Sequence, residues 1–203
     1  MGNVKHVFTS PKADGGDATL IRPSNWNAAH EGAVEILDRD LTQIEVVNTA
    51  GEISIYSYSI GADVLGITGG VRLSLGGDYL NNSGTNKSLT IRAKLGATTV
   101  FSRAFQTVTS ADRRKWLLNL WFLNSAAAAQ KWSAEWYLSP ALADVLAIGT
   151  SGSEGGAKGA GVASSTEDTT GGLTLDITME HSAAAATLSI RKEIALLELI
   201  PAS

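Results

Sequence analysis

QKWSAEWYL, residues 130–138, is the stretch on which the fold turns. It lies inside ADRRKWLLNLWFLNSAAAAQKWSAEWYLSPALADVLAIG (111–149), whose Ala and Leu content suits a helix. Its residue order does not. Gln130, Trp132, Ala134, Trp136 and Leu138 alternate with Lys131, Ser133, Glu135 and Tyr137, a period of two that sets both indoles on one face of a strand. WLLNLWFL (116–123), just upstream, is apolar on both faces, as expected of a central strand buried between layers. The two are predicted to pair as a hairpin across 124–129. ALADVLAIG (141–149) fits a short helix or a further strand equally well.

The same period continues outward along the chain. ISIYSYSI (53–60) alternates Ile53, Ile55, Ser57 and Ser59 with Ser54, Tyr56, Tyr58 and Ile60. VRLSL (71–75), LTIRAKL (89–95) and LTLDITM (173–179) each present one apolar and one wet face, the pattern of antiparallel sheets. AGE (50–52), GGD (76–78), NNSG (81–84) and GA (96–97) read as turns between them. ATLSIRKEIALLELI (186–200) closes the chain as a strand that stops at Pro201. Roughly eight strands at fairly regular spacing predict an all-β chain, a two-sheet sandwich of jelly-roll type.

Ahead of this body, residues 1–37 have no sustained period. Pro11, Gly15, Gly16 and Pro23 interrupt helix and strand alike, and Ser24 is expected to cap one short turn through Asn27. The expected organisation is an extended N-terminal docking arm, 1–37, followed by a sandwich domain, 38–203. GTSGSEGGAKGAGVASSTEDTTGG (149–172) holds 8 of the chain's 21 glycines and is expected to be a long loop.

Composition narrows the function classes. With 44% apolar and 18% charged residues, the 203-residue chain is globular. Its net charge of −4 argues against binding driven by phosphate neutralisation, so no nucleic-acid partner is expected. Arg113, Arg114 and Lys115 read as a charged turn at the start of a strand. No cysteine is present, which excludes disulfides, thiol catalysis and cysteine-ligated zinc. MGNVKHVFTS has no apolar core of a secretory signal, and no run approaches ~18 apolar residues, so neither secretion nor a membrane span is expected.

Catalytic motifs fail on their spacing. Of the three histidines, His6 and His30 lie in the leader, and His181 ends a strand. GTSGS (149–153) does not fit the G-x-S-x-G elbow, and GAKGAG (156–161) lacks the order of a phosphate loop. ADGGD (13–17) offers too few alternating oxygen ligands for calcium. The expectation is a non-enzyme without catalytic residue, metal or cofactor.

Aromatic residues carry the candidate binding sites. Trp132 and Trp136 on one strand face suit either a platform for sugar rings or the filling of a sandwich core. Trp26 is different, because it stands in a leader with little apolar sequence of its own. Pro23 restricts the backbone around Arg22, Trp26 offers a large apolar face, and Asn25 and Asn27 can bond to exposed backbone. With Phe8, these form an expected partner-binding segment. A surplus of apolar residues in 116–123 and at Ile194, Leu196, Leu197, Leu199 and Ile200 exceeds what one core can use, which points to a subunit interface.

HVFTSPKADGGDATLIRPSNWNAAH (6–30) resembles the N-terminal segment of structural proteins of tailed bacteriophage virions. LSLGGDYLNNSGTNKSLTIRAKLGATTVF (73–101) and TLSIRKEIALLELIP (187–201) resemble β-sandwich proteins of the same virions. The resemblance implies a multi-copy virion component, often trimeric, whose partners are the major capsid protein or neighbouring subunits. The leading expectation is a capsid decoration (cement) protein bound to the shell through its arm. The alternative is a tail-fibre or receptor-binding module that contacts host glycans through strand 130–138 or loop 149–172.

Overall fold

The computed structural model describes residues 35–139 and 157–202, so the arm as far as residue 34 and the segment 141–149 lie outside it. The described residues form eleven strands: β1 (Glu35–Asp40), β2 (Ile44–Val47), β3 (Ile53–Ile60), β4 (Gly70–Asn81), β5 (Lys87–Leu95), β6 (Thr98–Thr107), β7 (Ser110–Ala126), β8 (Ala129–Leu138), β9 (Ala157–Ser165), β10 (Leu173–His181) and β11 (Leu188–Ile200). One sheet runs β1-β11-β4-β7-β8-β9, with β2 also on β11, and the other runs β3-β10-β5-β6. All of these pairings are antiparallel.

β1 and β2 act as one interrupted strand, because both pair with β11. Their break, 41–43, falls opposite the register shift between Lys192 and Ile194. With β1 and β2 so joined, the orders (β1/β2)-β11-β4-β7 and β3-β10-β5-β6 are those of a jelly roll, extended at one edge by β8 and β9. The expected all-β sandwich is the observed one.

Several local expectations change. GGD (76–78) is not a turn: β4 runs through it as one strand of 12 residues. The reason lies across the sheet. Gly77 stands opposite Trp116, and a Cβ there would come within 1.8 Å of the Arg191 carbonyl oxygen and 3.0 Å of the Trp116 ring. The Trp116 indole N–H uses that space to donate to the Arg191 carbonyl, at 3.0 Å.

In β3 the alternation breaks once. Ile55 and Tyr56 are both buried, because the register with β10 shifts there and leaves Ile55 as an extra residue. Arg113, Arg114 and Lys115 lie within β7 rather than in a turn. The middle of the glycine-rich stretch is also not loop: β9 pairs with β8 from Gln130↔Ser165 to Leu138↔Ala157 without a bulge. A strand ladder needs backbone groups, not bulky side chains, so poor packing residues did not prevent it.

The core between the sheets is aromatic at its centre. Trp136 stacks on Trp116 (centroids 5.0 Å apart, 18° between planes) and on Phe105 (5.4 Å, 27°). Phe122 and Trp132 form a second pair at 4.3 Å. The Trp132 indole N–H donates to Ser165 Oγ at 2.8 Å, and Ser165 donates to Gln130 Oε1 at 2.8 Å, which ties β8 to the end of β9.

His181 closes β10 in a buried site where its Nε2 has no hydrogen-bond partner. Burial holds its pKa below the usual histidine value, against a weaker opposing effect of a hydrogen bond with the Val46 backbone. The unfolded chain therefore binds this proton more readily than the folded one. Its contribution is complete above pH ~6.5 and is lost as pH falls toward the lower folded value. Asp40, Glu45 and Glu52, each held below its ordinary value by a lysine or arginine partner, act only in the more acid range. Urea unfolding of His181→Gln is expected to give stability that changes less between pH 7 and pH 5 than that of the unaltered protein. An unchanged pH slope would remove His181 from this account.

Candidate docking face

The two outer faces of the sandwich differ in chemistry. On the four-stranded sheet the outward residues are polar and tied to one another. Arg92 bridges Glu180 at 2.7 Å and Glu52 at 3.3 Å, Lys94 pairs with Glu52, and Ser54 donates to Asp176 at 2.5 Å. This is a face made for water.

The outer face of the seven-stranded sheet falls into two halves. Alternation along β4, β7 and β11 sends Asp78, Arg113 and Arg191 outward at one end. Arg113 donates to Asp78 at 2.6 Å and to Ser189 at 2.7 Å, and Arg191 bridges Glu45 at 3.0 Å. Toward the other end the same alternation presents apolar side chains. Leu117 is 52% exposed, Ile194 48% and Trp121 46%. Leu117 and Ile194 converge over Gly76, where a Cβ would lie 3.1 Å from Leu117 Cδ2 and 3.2 Å from Ile194 Cγ2. Trp121 stands in a cross-strand row with Arg72 and Glu198 on one side and Ser133 on the other. Arg72 Nε meets Glu198 at 2.7 Å.

Two grooves cross this half. One, of ≈ 590 Å³, has Trp121, Leu196 and Ile200 as apolar walls and Arg72, Glu198 and Ser74 as polar ones. The other, of ≈ 400 Å³, runs between Leu117, Glu135, Tyr137 and Ala160. Asn119 lines both and joins them. The arrangement suits a ligand or partner with both apolar and hydrogen-bonding groups. Among the described residues, no group of three or more His, Cys, Asp and Glu side chains could hold a metal ion.

The residues expected to bind partners, Phe8, Arg22, Pro23, Asn25, Trp26 and Asn27, lie outside the described residues. Trp132 and Trp136, the expected sugar platform, are inside the core, at 4% and 1% exposure. Ring faces stacked on Phe122, Trp116 and Phe105 are not available to a sugar, so the core reading of that alternation is the correct one. Among the described residues the exposed tryptophan is Trp121, which the alternation in 130–138 does not point to. Its signal was the two-faced apolar run 116–123. That run and the C-terminal strand were both singled out for surplus apolar surface, and Leu117, Trp121, Ile194, Leu196 and Ile200 do meet on one face. Leu197 and Leu199 point into the core.

No family model matches the sequence, and no curated protein matches it. Among solved structures, the CBM2 module of the evolved Dit of Lactobacillus casei BL23 phage J-1 is similar, with 8% identity, TM-score 0.36, and coverage of 72% of this chain and 69% of that one. The VP2 subviral particle of infectious bursal disease virus is similar with 16% identity and TM-score 0.35, over 94% of this chain and 37% of VP2.

Proposed function

We propose that this chain is a structural protein of a tailed-bacteriophage virion, a capsid decoration protein that docks through its N-terminal arm and associates as a homotrimer. The supporting observation is the contrast between the two outer faces. A sandwich that works alone in water has no use for Leu117, Trp121 and Ile194 together on one sheet, whereas a subunit seated on a lattice covers them. Its second face, laced with ion pairs, is suited to remain in solvent. The arm reading rests on the resemblance of residues 6–30 and on the isolated Trp26. Many copies on one particle would offset a weak single contact.

Removal of residues 1–30 is expected to leave a soluble, folded body that no longer decorates particles, scored by co-sedimentation. Undiminished decoration by the shortened protein would refute the docking role of the arm. Trp121 favours a second reading, a glycan-contacting module, since a half-exposed indole beside Asn119, Ser133 and Arg72 can stack and hydrogen-bond a sugar. Saturable glycan binding by the shortened body, lost in Trp121→Ala, would favour it over decoration.

A further inference from the structure

The grooved face has a candidate occupant within the chain's own sequence. β1 starts at Glu35, and Ile36 stands in the same cross-strand row as Glu198, Arg72 and Trp121. Three strand spacings, ~14 Å, separate Ile36 from Trp121. Residues 27–34, extended, span up to ~26 Å, so a segment ending at Glu35 has the length to lay Trp26 across such a face. Direction decides whose face it is. β1 is antiparallel to β11 with Glu35 opposite Leu199, so at its start β1 points past Ile200 and off the end of its own sheet. From that direction the chain's own grooves lie behind a reversal, whereas the face of a second copy would not.

The chemistry of the two sides matches. Leu20, Ile21 and Trp26 are apolar groups in a segment with no core of its own, and the grooves offer Leu117, Trp121, Leu196 and Ile200. Arg22 is that segment's one charge between Leu20 and Asn27. Glu135, lining the groove, makes no ion pair among the described residues. Asn25 and Asn27 can meet Asn119 and Ser74. We propose that the outer face of the seven-stranded sheet receives residues 20–27 of a neighbouring copy, with Trp26 beside Asn119 and Trp121 and Arg22 against Glu135. The inference rests on the reading of the leader as a docking segment and names its partner as a second copy of this chain.

The absence of cysteine makes the test direct. Full-length Ser24→Cys and Ser74→Cys proteins are mixed and mildly oxidised, then run on a non-reducing denaturing gel. A mixed disulfide-linked pair is expected, with a yield that falls by about tenfold or more when Trp26→Ala or Trp121→Ala is added. Ser24→Cys mixed with Gln106→Cys, on the opposite sheet, is expected to give no such pair. Far-UV circular dichroism on each protein verifies that the sandwich is intact. Two results would overturn the proposal: no mixed pair, or a pair undiminished by Trp26→Ala. A glycan that binds at Trp121 and leaves no mixed pair is an instance of the first. Decoration of particles is scored separately on the same proteins, so a failed contact between copies and a failed virion assignment are seen apart.

Discussion

Replacing Trp136 with alanine is expected to lower the unfolding free energy by about 4 kcal/mol, mid-range for removal of a buried aromatic ring. Trp136 is the middle ring of three, so its loss strips contacts from Trp116 and Phe105 together and leaves a hole that two rigid indole and phenyl planes cannot easily close. Its indole N–H has no hydrogen-bond partner among the described residues, although it is buried. No hydrogen bond is therefore lost with the ring, and removing the orphan donor is a gain that partly offsets a smaller ring. Trp136→Phe is accordingly expected to cost about 1 kcal/mol or less. Urea unfolding followed by far-UV circular dichroism measures both, because tryptophan fluorescence changes with the substitution itself. A loss below about 1 kcal/mol for the alanine variant would mean that the stack does not carry the core.

The second large effect is at the break between β1 and β2. Lys192 is fully buried, and its ammonium meets Asp40, whose carboxyl also accepts the Thr42 backbone N–H at 2.7 Å. The hydrogen bond from Lys192 holds the Asp40 carboxyl below its ordinary pKa. Asp40→Ala leaves a buried ammonium without a partner and is expected to cost about 3 kcal/mol. That is the low end for breaking a buried pair, because Asp40 retains 25% of its side-chain exposure. Lys192→Met removes the buried charge and keeps the volume, leaving Asp40 in contact with water, and is expected to change stability by no more than about 1 kcal/mol. Equal losses from the two variants would refute the asymmetry. Hydrogen exchange gives a second readout: β1 has no fully buried side chain, so Asp40→Ala should raise exchange in Glu35–Asp40 before the rest of the sheet.

Both predictions rest on residues whose partners are distant in sequence, and this separates the legible from the illegible. The strands from 53–60, 71–75, 89–95, 130–138 and 173–179 were readable because alternation is a property of neighbouring residues. The hairpin of β7 and β8 followed from the same local pattern. β1 and β2 were not readable: their residues alternate poorly, and β11 holds them through backbone pairs and the Lys192–Asp40 contact. β9 was hidden by its glycines, since a ladder on an edge places no demand on side-chain bulk. GGD (76–78) read as a turn because glycine usually marks one. Here it marks the place where Trp116 and Leu117 need room on the two sides of one strand.

The candidate docking face was half legible. Surplus apolar residues in 116–123 and in the last strand announced that something beyond one core had to be covered. The four tryptophans of the body, Trp116, Trp121, Trp132 and Trp136, could not be sorted into buried and exposed from their own neighbourhoods. For Trp132 and Trp136 a sugar platform and a core filling both stood open, because a clean alternation says only that two faces differ.

Local order along the chain settled that this protein is all-β and that its strands are antiparallel, because both follow from spacing within a few residues. Which face of each strand is wet was settled by the partner sheet. Trp116, Trp132 and Trp136 are inside because Phe105 and the inner faces of β5 and β10 lie opposite them, and Trp121 is outside because, among the described residues, no second layer covers its side of β7. Burial is a relation between segments far apart in sequence, and no period within one segment contains it.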